Sequence, residues 1–275
     1  MGCKYTKDDL FDMPVLIGTS GWQYKSWKQR FYPSNIAQHD WLYFYVSHFQ
    51  TVEINNSFYR LPSEDIFSKW AMSAPDDFIF SPKMSRYLTH LKKLKDPQEA
   101  IFRFLNNTKA LGEKMGPILI QLPPNLEIKL KVLDESLSCF PSSVKVAVEF
   151  RHPSWFVLET KSILEKYGAA LCLADKKGII TPIWKTTNWS YIRFHFGNSS
   201  SYSGCYKRKD LDRWAQLVGQ NWTKDETVYA YFNNDPLGCA IRDARWFSQS
   251  LQKIGLMPSR VPKASDIKMN PINIK

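Results

Sequence analysis

Nothing in this sequence is long and apolar enough to read as a membrane-spanning helix, and no apolar core follows a basic start at the amino terminus. Neither a membrane anchor nor a secretion signal is therefore expected. Histidine is scarce, five in 275 residues, and His39 and His48 fall on or beside the first helical stretch, which argues against a multi-zinc centre. The five cysteines, Cys3, Cys139, Cys172, Cys205 and Cys239, contain no C-x-x-C pair. That spacing speaks against a zinc ribbon and a disulfide framework, and it fits a reducing, cytoplasmic setting. Cys172 sits in an apolar run and reads as core, and no cysteine ends a strand, so a thiol nucleophile is not expected. No G-x-G-x-x-G or G-x-x-x-x-G-K-[ST] follows the first apolar run, which removes the signals of a dinucleotide or P-loop site. Acidic residues are outnumbered, 26 Asp and Glu against 37 Lys and Arg, for a net charge of +11. The excess favours an anionic small molecule or nucleic acid as partner. Nothing in the sequence fixes an oligomeric state.

What is present is an alternation. Short apolar runs at Val15–Ser20, Thr51–Asn55, Phe78–Ser81, Pro117–Leu122, Val146–Phe150, Ala169–Asp175, Tyr191–Phe196 and Thr227–Phe232 read as eight strands. Helix-sized segments lie between them, among them Asp40–Phe49, Ser63–Ala74, a long one from Asp96 to Met115, Lys129–Phe140 and Asp210–Gln220. Alternating strands and helices imply parallel strands. Eight such units in this length close most economically into a single α/β domain, a (β/α)8 TIM-type barrel, with an open doubly wound sheet as the alternative. The division expected is a leader over 1–14, the barrel over 15–255, and a basic, disordered tail over 256–275. Four cations against Asp266 alone place about three of the eleven excess charges in that tail. The loop Gly197–Gly204, GNSSSYSG, reads as a candidate lid.

In a barrel the site lies at the C-terminal ends of the strands. Those ends carry Glu53 and Asn55, Lys83, Gln121, Glu149 and Arg151, Asp175, Arg193 and His195, and Asn233-Asn234-Asp235. Side chains alternate faces along a strand, so the i, i+2 pairs Glu53 with Asn55, Glu149 with Arg151 and Arg193 with His195 each point one way. Their neighbours Val52, Ile54, Val148, Phe150, Ile192 and Phe194 suit the helices, which turns the polar set toward the interior. So many ionisable groups are costly to bury unless they pair or meet a ligand. Lys83, Arg151 and Arg193 suit an anion clamp, with Asn55 and Asn233 as further substrate-binding groups. Glu53, Glu149 and Asp175 suit general acid–base work or a hard divalent ion, and His195 is the acid/base with the best intrinsic pKa. For Glu149 with Arg151, a structural ion pair stays open, and for His195 a satisfied core histidine. The Lys83–Lys95 segment holds five cations, His90 and no acid, and reads either as a phosphate-tracking or as a solvated basic loop.

Several stretches, in order, resemble the domain-of-unknown-function 72 family, the YecE-like proteins. They are GTSGW at Gly18–Trp22, FYP at Phe31–Pro33, VEINNSFYRLP at Val52–Pro62, TH at Thr89-His90, QLPP at Gln121–Pro124, EFRHPSW at Glu149–Trp155, RFH at Arg193–His195 and FNND at Phe232–Asp235. The resemblance spans roughly Ile17 to Ser250 and implies a TIM barrel with no established activity, similar to the endonuclease IV and xylose isomerase type. The histidine-rich trinuclear zinc set of endonuclease IV is missing, and the glycine that follows R-x-H in the family is displaced here, since Phe196 precedes Gly197. Fold transfers on such a resemblance; function does not. The leading expectation is a hydrolase or lyase acting on a phosphorylated or nucleic-acid-type substrate at the barrel mouth. A carbohydrate-active barrel and a non-enzymatic nucleic-acid binder are the alternatives, and a divalent metal ion is the one cofactor the carboxylates admit.

Overall fold

Period-two alternation decides the architecture. In the strand Val146–Glu149 (β5), Val146 and Val148 pack outward into the main apolar core while Ala147 packs inward against a second cluster. The same split recurs around the sheet, whose strand order is β3-β2-β1-β8-β7-β6-β5-β4 with every pairing parallel. The ranges are β1 Phe11–Ser20, β2 Thr51–Ile54, β3 Ile79–Pro82, β4 Ile118–Gln121, β6 Ala170–Asp175, β7 Trp189–Phe194 and β8 Thr227–Phe232. The structure, a computed structural model, describes residues 11–175, 181–195, 204–235 and 238–268. Of the candidate lid Gly197–Gly204, residues 197–203 lie outside them.

Between the strands run α1 Trp41–His48, the single turn α2 Asn56–Tyr59, α3 Glu64–Ser73, α4 Gln98–Thr108, α5 Leu130–Leu137, α6 Leu158–Lys166, α7 Arg208–Asn221 and α8 Cys239–Lys253. The sheet closes where β3 meets β4, through short bridges at Phe80 with Met115 and Lys83 with Leu119. There the Gly116 amide donates to the Phe80 carbonyl at 2.7 Å. A Cβ on Gly116 would stand 2.5 Å from the Ile79 side chain, so only glycine lets the strands approach. The result is the eight-stranded parallel barrel with surrounding helices expected from the sequence.

Small residues face large ones inside it. Ala147, Ala170 and Cys172 share the interior with Tyr191 and Tyr231, whose rings lie 5.1 Å apart. The Tyr231 hydroxyl is held by Ser81 at 2.6 Å and Thr51 at 2.7 Å, and this packed layer floors the polar layer above it.

Two expectations are corrected. Residues 256–268 are not a disordered tail: Leu256–Pro258 (β9) pairs with β1, the Ser259 hydroxyl accepts from the Ile17 amide at 2.8 Å, and Arg260 pairs with Asp77 at 3.0 Å. Apolar Leu256 and backbone pairing outweigh the charge count; 269–275 lie outside the described residues. Cys205 and Cys239 form a disulfide, with Cα atoms 4.8 Å apart and a sequence separation of 34. Spacing alone cannot reveal it, because the barrel topology brings the residues before α7 beside the start of α8.

Candidate functional site

The C-terminal strand ends stack two polar layers. The lower is a closed ion-pair cluster. Arg193 on β7 donates through Nη2 to Glu53 Oε1 at 2.7 Å and through Nη1 to Glu149 Oε2. Ser20 donates to Glu53 Oε1 at 2.5 Å and Tyr191 to Glu53 Oε2 at 2.7 Å. Arg193, Glu53, Glu149 and His195 are all fully buried. Burial alone would raise both carboxyls, but Arg193 and then Lys83 hold Glu53 below its ordinary value, while Arg151 and Arg193 hold Glu149 well below. His195 is pushed down to about 4 by burial, against the pull of Glu149 at 3.4 Å, and so is neutral near pH 7. Its Nδ1 faces the Asn233 amide at 3.2 Å.

The upper layer lines a cavity of about 730 Å³ open at the mouth. Lys83, Arg86, His90 and Arg151 supply its basic wall. Asn55, Gln121 and Asn233 supply amides; Tyr24, Phe58 and Tyr59 supply rings, and Asp235 is the one carboxylate among the described lining residues. Lys83 lies at the deep end, 7 % exposed, its Nζ donating to Gln121 Oε1 at 2.8 Å and standing 4.2 Å over the Phe58 ring. The same Gln121 oxygen accepts from Arg151 Nη2 at 3.1 Å, and Glu149 orients Arg151 through its Nε at 2.7 Å.

Two neutralised bases report the field in this cavity. Burial, then Arg193, lowers Lys83 to about 7, against Glu53 and Glu149. Burial, then Lys83, Arg151 and Arg86, lowers His90 to about 4. Burial is the larger cause for each and the neighbouring cations add to it, so the cavity gathers positive charge beside desolvated bases, a setting that favours a bound anion. Asp235 moves the other way, raised to about 7 by burial although the Trp27 indole donates to it. Near neutral pH the cavity therefore offers a part-neutral amine and a part-protonated carboxyl.

The family-like motifs place these groups by ordinary means. Gly21 (φ 88°) turns the chain after β1 so that its amide meets the Glu53 carbonyl at 2.8 Å, and Tyr24 returns to the Ser20 carbonyl. Asn55 also donates to that carbonyl, at 3.0 Å. Ser57 ties α2 to the Lys83 carbonyl at 2.7 Å, setting Phe58 under the amine. In EFRHPSW, Trp155 stacks on Phe150 with centroids 4.7 Å apart and donates to the Leu126 carbonyl, so its ring is packing. Asn234 of FNND donates to Asp243 Oδ2 at 2.7 Å beside the disulfide, leaving Asn233 and Asp235 to the cavity.

The structure thus sorts the sequence-predicted residues. Asn55, Lys83, Arg151 and Asn233 meet at the cavity, while Glu53, Glu149, Arg193 and His195 meet beneath it, closed off from solvent. Asp175 joins neither. Ala170 and Cys172 take the interior face of β6 and Leu171 and Leu173 the outer one, so Asp175 continues outward. Burial raises its carboxyl, against hydrogen bonds from Tyr206 and from Trp214 on α7. Arg193 is likewise no open clamp, because two carboxylates occupy its guanidinium. Missed as site residues were Arg86 and His90, inside the basic segment already noted, and Asp235, inside FNND. Among the described residues no group of three or more His, Cys, Asp or Glu could hold a metal ion, and no helix is long and apolar enough to cross a membrane.

A family model described as "Protein of unknown function DUF72" matches residues 16–265. The UPF0759 protein YecE of Escherichia coli strain K12 is 28 % identical, across 92 % of this chain and 99 % of that one. The UPF0759 protein YunF of Bacillus subtilis is 23 % identical, across 90 % and 99 %. A crystal structure of a DUF72 family protein from Thermotoga maritima superposes with a TM-score of 0.76 at 27 % identity, covering 87 % of this chain and 99 % of that one. A DUF72 family protein from Enterococcus faecalis, at 20 % identity, 86 % and 95 % coverage and a TM-score of 0.72, shares the fold.

Proposed function

This chain belongs to the DUF72 family, and since that membership brings no reaction with it, we propose one from the mouth: a hydrolase or lyase acting on a phosphorylated substrate in the 730 Å³ cavity. The observation that carries the reading is the gathering of Lys83, Arg86, His90 and Arg151 on one wall of that cavity, with Asp235 the one carboxylate among its described lining residues. Arg86 and Arg151, whose planar guanidinium forks match phosphate oxygens, hold the phosphate. Asn55 and Asn233 orient the remainder of the substrate, and Asp235, raised to about 7, is the general acid. Glu53, Glu149, Arg193 and His195 position this layer from below; Glu149 does so by aiming Arg151.

A glycosidase reading has less support. It needs two carboxylates on the substrate, and the interior pair is spent on Arg193. The nucleic-acid reading keeps one observation in its favour. A second cavity of about 420 Å³, lined by Arg60, Tyr87 and Arg103, takes Ser85 and Tyr87 on either side of the mouth's Arg86 and Arg60 next to its Tyr59, and exposed Tyr59 and Tyr87 could stack on bases. Thermal shift of the whole protein with inorganic phosphate, neutral sugars and a 5′-phosphorylated oligonucleotide separates these readings. Phosphate should raise Tm by mass action, and Arg86→Gln with Arg151→Met together should abolish the rise. A rise that survives the double substitution sinks the mouth as the anion site. A rise with neutral sugars alone moves the reading to carbohydrate.

A further inference from the structure

We propose that Lys83 is an amine nucleophile that forms a Schiff base with the carbonyl group of a small phosphorylated aldehyde or ketone. The inference rests on the anion reading of the mouth for the phosphate, and it adds the carbonyl and selects a lyase.

The geometry separates Lys83 from the other cations of the cavity. Arg86 is exposed and Arg151 lies at the wall, both suited to a charged group arriving from solvent. Lys83 directly follows β3 at the deep end, where the hydrogen bond from its amide to the Ile54 carbonyl sets its position and the Phe58 ring keeps water from one side. Its hydrogen bond runs to the neutral amide of Gln121 rather than to a carboxylate. The interior carboxylates are already committed, Glu53 to Arg193, and Glu149 to Arg193 and Arg151. A lysine with a carboxylate partner stays an ammonium; one left among guanidiniums in an apolar wall gives up its proton and becomes a nucleophile. The observed lowering to about 7 agrees with that placement.

The step balances without an oxidant or metal. The Nζ lone pair attacks the carbonyl carbon and the carbonyl pair moves to oxygen; one proton passes from the nitrogen to that oxygen, and a second from an acid releases water as the protonated C=N bond forms. Asp235, facing the same cavity and part-protonated near neutral pH, is the acid available. The protonated imine then takes up the electron pair of the bond from the adjacent carbon to a hydroxyl-bearing carbon. The hydroxyl proton passes to the Asp235 carboxylate, and the second fragment leaves as an aldehyde or ketone. Asp235 returns the proton to the enamine carbon, and water hydrolyses the imine to the free amine and the carbonyl product. A phosphate on Arg86 and Arg151 would hold the carbonyl end of a short chain toward Lys83.

The test uses the whole wild-type protein, dihydroxyacetone phosphate as probe and sodium borohydride, which delivers hydride to the imine carbon and fixes it as a secondary amine. Peptide mapping then locates the adduct. At pH 7 about half of a lysine titrating near 7 is free amine, against fewer than one in a thousand of ordinary lysines, so labelling of Lys83 should run on the order of ten- to a hundredfold faster than on the surface. It should rise through pH 7 rather than pH 10, be competed by inorganic phosphate, and disappear in Lys83→Arg. Labelling of surface lysines with Lys83 untouched overturns the proposal, and if phosphate still raises Tm the anion reading survives it. Labelling at Lys83 that phosphate does not compete keeps the amine role and removes the phosphate reading.

Discussion

The two polar layers at the barrel mouth hold the same residue types and behave as opposites. Below, Arg193 is closed between Glu53 and Glu149, each carboxylate held ionised and hydrogen-bonded again by Ser20, Tyr191 or Arg151. Above, Lys83 stands with a neutral amide and a ring, and it and His90 are driven toward neutrality. In the lower layer charge satisfies charge and fixes three strand ends. In the upper layer charge is left incomplete, which costs stability and leaves room for a ligand to complete it.

The sharpest way to break that comparison is to remove the centre of the lower layer. Arg193→Met strands two buried carboxylates and should cost on the order of 3–5 kcal/mol, where Arg86→Gln at the exposed rim should stay within about 0.5 kcal/mol. Urea unfolding of the two variants measures both. If Arg193→Met cost under about 1 kcal/mol, the lower layer would not be the support described. Next in size is the disulfide that ties the start of α8 to the chain before α7. Its 34-residue separation corresponds to roughly 3–4 kcal/mol of lost chain entropy in the unfolded state, so reduction under native conditions should lower Tm by about 10 °C. An unchanged Tm would mean that the network of Asn234, Arg242 and Asp243 beside it holds the mouth alone.

How much of this contrast the sequence discloses depends on parity. The i, i+2 pairs turned Glu53, Glu149, Arg193 and His195 correctly inward, because each strand's outer neighbours are aliphatic or aromatic. Asp175 ends a strand whose residues are all apolar or small, so its face could not be read from charge, and it lies on the outer side with Tyr206 and Trp214. Nothing local distinguishes a carboxylate that will meet an arginine from one that will meet a substrate. That depends on whether a partner strand arrives at the same height, and Glu53 and Glu149 reach Arg193 from 140 and 44 residues away. Arg86 and His90 were hidden for the converse reason, and Asp235, legible next to a strand, drew no role. Arg86 and His90 sit beyond the strand ends, on a segment whose path is set by contacts such as the Leu94 carbonyl with Ser136.

The smallest effects are also the most diagnostic, because the upper layer should respond to pH in two opposite directions. Lys83 has a folded value near 7 against an ordinary 10.5, so between those limits the unfolded chain holds the extra proton and stability rises with pH. Lys83→Met should therefore be more stable than wild type by roughly 1–2 kcal/mol at pH 6, and the gain should fade toward pH 10. Asp235 has a folded value near 7 against an ordinary 3.8, so there the folded chain holds the extra proton and stability falls as pH rises from about 4 to 7. Asp235→Asn keeps an acceptor for the Trp27 indole and should gain about 1 kcal/mol by pH 8, with no gain at pH 4. The two slopes meet near pH 7, where amine and carboxyl are each half-titrated and the mouth opposes folding most. No Glu53 or Glu149 variant should show this pattern, since their depressed values give stability that is present at neutral pH and lost only in acid. Chemical unfolding of Lys83→Met and Asp235→Asn across pH 4–10 reads both slopes. Flat differences for both variants would mean that the upper layer is as well satisfied as the lower, and that its cations need no ligand.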